Sequence, residues 1–311
     1  MKLRRLLRLA AALVFLPLIA PGIHGVPMRA FVASATAPTI ALPATDRISV
    51  SVAGQGRDVI LIPGLASSAH VWDGTVARIA ATHRVHVVQV AGFAGVAPGS
   101  NVDGPVLEPV VGAIHDYIAA SHLEGAAVIG HSLGGLMAMK LAIEHPGDAG
   151  RLMIVDALPY AGMMFGANAT PAMVEPQVRS MRDRLIAGTQ EAYAAAEPQQ
   201  MERLIKSRGE AAQKAVEAAV ASDRRVVAQA LYEDMTTDTR TDLEKIAVPV
   251  TILYPWDAGT GVPQEMVDAL YTGAFTSLPH AKVERVDGSY HFIMIDQPTI
   301  FLQKVDAFLA D

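Results

Sequence analysis

The stretch Ala126-Ala127-Val128-Ile129-Gly130-His131-Ser132-Leu133-Gly134-Gly135-Leu136-Met137-Ala138-Met139 passes from a short apolar run into a helical one through the pattern G-x-S-x-G. A strand, a sharp turn and a helix in that order present the central serine at the top of a sheet, with its hydroxyl exposed. Gly130 and Gly134 lack the Cβ that would crowd so tight a turn. The first turn of the following helix aims unpaired N–H groups at whatever the serine attacks. Ser132 is therefore read as a presented nucleophile rather than a serine in a surface turn.

Strand and helix signals alternate on both sides of this turn. Upstream, 48–52 alternates like a half-buried strand, 58–62 is a short apolar run closed by Pro63-Gly64, and 71–81 has helical spacing. A β-branched strand over 84–90 and a helix over 107–121 follow. Downstream come a helix over 136–144, stopped by His145-Pro146-Gly147, and a strand over 151–155, stopped by Asp156. The alternation resumes with a strand at 248–254, a helix at 264–271, a strand at 282–286 and a helix at 299–309. Such βαβ units predict an α/β fold: a mostly parallel central sheet with helices on both faces. Between them, 159–240 is rich in Ala, Glu, Gln and Arg and has no strand signal, which predicts an inserted helical cap. The core is then 48–158 together with 241–311.

The 311 residues are 51% hydrophobic and 18% charged, enough apolar material for a large core. A net charge of -6 gives none of the basic footprint that nucleic-acid binding requires, and no nucleic-acid partner is expected. There is no cysteine, which excludes a disulfide scaffold, a thiol nucleophile and a cysteine zinc site. Lys2, Arg4, Arg5 and Arg8 precede an uncharged run over 9–23 that Pro17 and Pro21 interrupt, and Ala33-Ser34-Ala35 offers a small-x-small cut. Residues 1–35 thus read as an export signal, with a cut near Gly25 also open, and 36–47 as a linker. The expected location is the periplasm or the exterior, without stable membrane insertion once the signal is removed. The sequence leaves the oligomeric state open.

A serine hydroxyl needs a base, and that base needs an acid to fix its tautomer. Of ten histidines, His291 follows the last strand in Gly288-Ser289-Tyr290-His291-Phe292 and is the first choice, with His280 as competitor. His131, next to the serine, is expected to line the pocket or to pack. For the acid, Asp257 ends the strand in Pro255-Trp256-Asp257, at the carboxyl edge where open α/β sheets place their sites. Asp156, at the end of the preceding strand, is the alternative, followed by Asp287 and Asp296. The oxyanion formed on attack needs fixed donors. These are expected from the N–H groups of Leu133 and Leu65, with Gly64 allowing close access.

Ile62-Pro63-Gly64-Leu65, Gly130-His131-Ser132-Leu133-Gly134-Gly135, Ile246-Ala247-Val248-Pro249-Val250 and Tyr290-His291-Phe292, in this order, resemble the α/β-hydrolase fold family over roughly 48–311. The resemblance implies Ser132 as nucleophile, His291 as base, Asp257 as acid, and Leu65 and Leu133 as oxyanion-hole amides. It departs from many members at Pro63, where a histidine is common, and at Trp256, where the approach to the acid is often glycine-rich. Met163, Met164, Phe165, Met173, Met181 and Met201 offer either an adaptable apolar roof or plain cap packing. Met163 and Met164, with Gly64 and His131, are the expected pocket residues. The activity expected is hydrolysis of a small or medium carboxylic ester through an acyl-serine, without metal or organic cofactor. Amide or peptide hydrolysis, acyl transfer and a non-catalytic binding role are the alternatives.

Overall fold

A computed structural model of the chain describes residues 45–278 and 280–310. The export signal expected over 1–35, and all but the last three residues of the linker expected over 36–47, lie outside the described residues. The strands are β1 (Ile48–Gly54), β2 (Arg57–Ile62), β3 (His83–Val90), β4 (Ala126–His131), β5 (Ala149–Val155), β6 (Val250–Trp256) and β7 (Lys282–Asp287). They form one sheet in the order β1-β3-β2-β4-β5-β6-β7. Only β1 runs antiparallel, against β3. Burial follows from this layout. All six residues of the central β4 are buried, because helices cover both faces of a parallel sheet. The edge strand β1 begins with alternating buried and exposed residues.

The helices on the sheet are α1 (Asp73–Ile79), α2 (Leu107–Ser121), α3 (Leu133–Glu144), α8 (Gln264–Ala274), the short α9 (Ile293–Asp296) and α10 (Pro298–Ala310). Between β5 and β6 lie a 3-10 turn (Ala161–Phe165) and four helices, α4 (Pro171–Ala187), α5 (Gln190–Leu204), α6 (Glu210–Ala221) and α7 (Arg224–Thr236). The two ends of this insertion are held together, since the N–H and hydroxyl of Thr239 both donate to the Pro159 carbonyl, at 2.9 and 2.8 Å. Its last helix is tied to the core. The Glu233 carboxylate accepts from the amides of Val106 (3.0 Å) and Leu107 (2.6 Å) at the start of α2, giving those first-turn donors an acceptor and placing a negative charge at the helix N-terminus. Among the described residues no helix is long and apolar enough to cross a membrane.

Parallel strands end on one edge, so β2, β4 and β5, adjacent in the sheet, bring the loops that follow them together there. Pro63–Leu65, Ser132 and Asp156 are thereby neighbours although far apart in sequence.

Candidate active site

The turn at Ser132 is tighter than the sequence reading placed it, because the helix expected from 136 begins at Leu133. Ser132 takes φ 54°, ψ -124°, a conformation that an L-residue adopts only when its surroundings impose it. The surroundings do so on both sides. A Cβ at Gly130 would lie 2.1 Å from the Gly134 carbonyl oxygen, and one at Gly134 would lie 2.3 and 2.6 Å from the carbonyl oxygens of Ile62 and Pro63. The Ser132 N–H is also fixed, donating to the Val155 carbonyl at 2.9 Å. Elbow, β5 and the loop after β2 are thus locked together. A Cβ at Gly64 would come within 3.0 Å of the Ser132 Cβ, so this glycine lets the Leu65 backbone approach the serine. The Leu133 N–H, first in its helix, has no carbonyl one turn back to bond. Both expected oxyanion amides therefore belong to segments packed against Ser132.

Ser132 and His291 face one cavity of about 40 Å³, whose apolar wall includes Leu158, Ala161 and Met164. His291 comes from the loop between β7 and α9. Asp296 pins that loop by accepting from the Tyr290 N–H at 2.8 Å, and it also accepts from the Ser207 N–H of the cap at 2.8 Å. Asp287 pairs with Arg285 instead, and His280 is exposed.

The acid differs from the first choice. His291 Nδ1 lies 2.5 Å from Asp156 Oδ2, so the histidine's partner is Asp156 and not Asp257. The reason is register. Val155 pairs with Leu253, so Asp156 stands level with Tyr254, and Asp257 lies three residues further along β6, roughly 10 Å at the usual strand rise. There it meets Lys206 of the cap at 2.5 Å and accepts from the Gly259 N–H at 2.7 Å. Its carboxyl is held below the usual range first by Lys206, against a smaller opposing effect of burial. Asp156 itself has φ 47°, a region that aspartate enters more readily than most residues. Its second oxygen accepts from the Tyr271 hydroxyl on α8, a partner the sequence reading did not identify. Tyr271 stacks on Tyr254, ring centroids 4.5 Å apart. Burial, and then Asp156, push the Tyr271 phenol well above its ordinary range, so it remains a donor.

His131 is fully buried and packs instead of lining the cavity. Its Nε2 bonds the His291 carbonyl at 3.1 Å, and its ring lies 4.6 Å from that of His291. Burial, and then His291, hold its pKa well below the ordinary value. A neutral ring donating from Nε2 leaves Nδ1 as an acceptor, and this atom has no partner among the described residues. Of the expected pocket residues, Met164 lines the cavity, whereas Met163 is buried in the core and Gly64 packs beneath the serine. The cavity also holds a carboxyl that sequence reading missed, Asp234 on α7. Its spacing from Val227 and Ala230, both on the buried face, was the available signal. Burial raises it to about 7, with His291 pulling the other way.

Among the described residues, one group could bring three metal-ligand atoms within 4.8 Å of one another: His115, His145 and Asp148. Asp148 precedes β5 and Asp156 follows it, so this group lies at the opposite sheet edge from Ser132. What the edge at Ser132 offers is a hydroxyl, an imidazole fixed by a carboxylate, and two amides. That set can carry acyl transfer without a metal.

A model of the Alpha/beta hydrolase family matches residues 59–304. The pimeloyl-[acyl-carrier protein] methyl ester esterase of Vibrio cholerae serotype O1 is 27% identical over 265 residues, 83% of this chain and 96% of that protein. The protein of the same name from Aeromonas hydrophila is 31% identical over 141 residues, 45% of this chain, and the chain spans only 52% of its length. Among solved structures, a thermophilic esterase from Thermogutta terrifontis superposes with a TM-score of 0.69 at 19% identity, covering 89% of this chain and 98% of that one. The esterase of Exiguobacterium antarcticum gives 0.69 at 17% identity, covering 85% and 96%. At these identities the two structures share the fold.

Proposed function

The chain belongs to the alpha/beta hydrolase family, and on that premise we propose that it is a serine hydrolase cleaving small or medium carboxylic esters through an acyl-serine. The observation that carries the reading is the 2.5 Å contact between His291 Nδ1 and Asp156, with His291 facing the same small cavity as Ser132. With Nδ1 held by the carboxylate, Nε2 is the nitrogen left to take the Ser132 proton. Ser132 Oγ then attacks the ester carbonyl carbon. The negative charge moves to the carbonyl oxygen, for which the Leu65 and Leu133 amides are the expected donors, each worth about 2.7 to 4 kcal/mol in sites of this kind. The protonated imidazole, stabilised by Asp156, returns its proton to the departing alkoxide. Water replaces the alcohol and attacks the acyl carbon as His291 takes its proton, and the acid is released as the acyl–oxygen bond breaks and the imidazolium returns that proton to Ser132 Oγ.

The cavity volume favours short acyl groups, and the two relatives named for a methyl ester esterase favour a small alcohol. The basic and then apolar order of residues 1–35 supports export to the periplasm or beyond. The reading predicts that a fluorophosphonate probe labels Ser132, and that Ser132→Ala lowers p-nitrophenyl ester turnover by at least about 10⁴-fold. An unlabelled protein, or a Ser132→Ala protein with wild-type turnover, refutes it.

A further inference from the structure

Helix α7 carries two adjacent carboxylates with opposite fates. Glu233 is pinned to the core by the first amides of α2. Its neighbour Asp234 is thereby presented, on a fixed backbone, to the cavity that holds Ser132 and His291. Asp234 lies on the inward side of the helix with Val227, Ala230 and Leu231, all buried. Among the described residues no hydrogen bond reaches its carboxyl, on which burial and His291 act in opposite directions. Asp234 is half-buried, and a carboxyl that faces a small cavity without a bonded neighbour keeps its acceptor capacity for whatever enters it.

The other wall residues leave it unmatched. They include no lysine or arginine, the remaining carboxylate is Asp156, already bonded to His291 and Tyr271, and the rest of the cap-side wall is apolar. The cavity is therefore short of one donor. The alcohol leaves after the first half-reaction and is replaced by water, whereas the acyl group stays on Ser132 through both, so a wall residue beside Ser132 acts longest on the acyl group.

We infer that Asp234 is a specificity residue that selects acyl groups ending in a hydrogen-bond donor, an ammonium above all, and disfavours anionic ones. The inference rests on the Ser132 reading above. An ammonium gives Asp234 a charge-assisted partner, a hydroxyl gives a weaker one, a methyl leaves it unsatisfied, and a carboxylate opposes it.

Four methyl esters with the same two-methylene spacer test this: methyl 3-aminopropanoate, methyl 3-hydroxypropanoate, methyl butanoate and monomethyl succinate. Acid release in a pH-stat gives kcat/KM for each. The wild type is expected to follow the order ammonium, hydroxyl, methyl, carboxylate, with about tenfold or more between the first and third. In Asp234→Asn the ammonium advantage over methyl is expected to fall to within about threefold, and the succinate penalty to shrink, while the hydroxyl ester keeps its place because an amide also pairs with it. Asp234→Ser carries the same comparison if the asparagine variant does not fold. An ammonium advantage over methyl that stays about tenfold or more in the variants, or a wild type that prefers methyl butanoate while Ser132 still labels with fluorophosphonate, overturns the assignment of Asp234 alone. Failure of Ser132 to label overturns the hydrolase reading and this one with it.

Discussion

β5 and β6 lie side by side, run the same way and each deliver an aspartate to the same sheet edge, yet only Asp156 meets His291. The difference lies in how far each strand runs. β5 stops at Val155, opposite Leu253, and its chain turns at once through the left-handed conformation of Asp156. β6 is held by β7 as far as the pair Trp256–Asp287, which carries Asp257 past the histidine and under Lys206 of the cap. A carboxylate's role at a sheet edge is thus decided by pairing length, and both strand ends look alike in one dimension.

The comparison breaks most easily by exchanging the carboxylates for amides. Asp156→Asn should hold His291 in the wrong tautomer and lower kcat by about 10³- to 10⁴-fold. Asp257→Asn, which removes only a partly exposed ion pair, should leave kcat within about threefold. Steady-state ester hydrolysis decides it, and the reverse ranking would mean that Asp257 is the working acid.

A second prediction sharpens the point on which both aspartates are judged, the position of His291. His131 holds that residue's carbonyl and is buried in the neutral form. Its folded pKa lies below the unfolded value, so the unfolded chain takes up the proton first as pH falls. The stability it contributes is therefore complete above the unfolded pKa and is lost as pH falls below that value towards the folded one. Urea melts at pH 7 and pH 5 should show this loss, and His131→Gln should flatten it. Equal slopes in the two proteins would remove His131 from the account. The smallest effect is expected at the support that Asp156 has and Asp257 lacks: Tyr271→Phe should lower kcat/KM by about tenfold, as one hydrogen bond to a charged group is lost. Wild-type kinetics there would show that His291 alone is enough to hold Asp156.

The sequence carried the elbow well because its signals are local. Strand, glycine, serine, glycine and helix follow one another, and the close packing at Gly130 and Gly134 leaves no room for any other residue. The alternation of strands and helices and the helical insertion were legible for a similar reason, since period and composition change where the elements change. The acid was not legible, because Asp156 and Asp257 each follow an apolar strand and what separates them is a register and a distant lysine. Asp234 was hidden differently. In a polar cap helix an aspartate reads as solvent-facing, and only its spacing from Val227 and Ala230 places it inward. Tyr271 gave no signal at all, its role depending on how α8 lies against the end of β5.

One further consequence follows from the crowding around Gly134. Because the backbone at Gly134 comes so near the carbonyl oxygens of Ile62 and Pro63 that a methyl group would not fit between them, the turn of the serine and the loop bearing Leu65 pack as one body. Thermal motion can then displace both against the substrate but hardly against each other. Substrate preference is free to change through the cap residues, while the distance between nucleophile and oxyanion donor stays constant throughout.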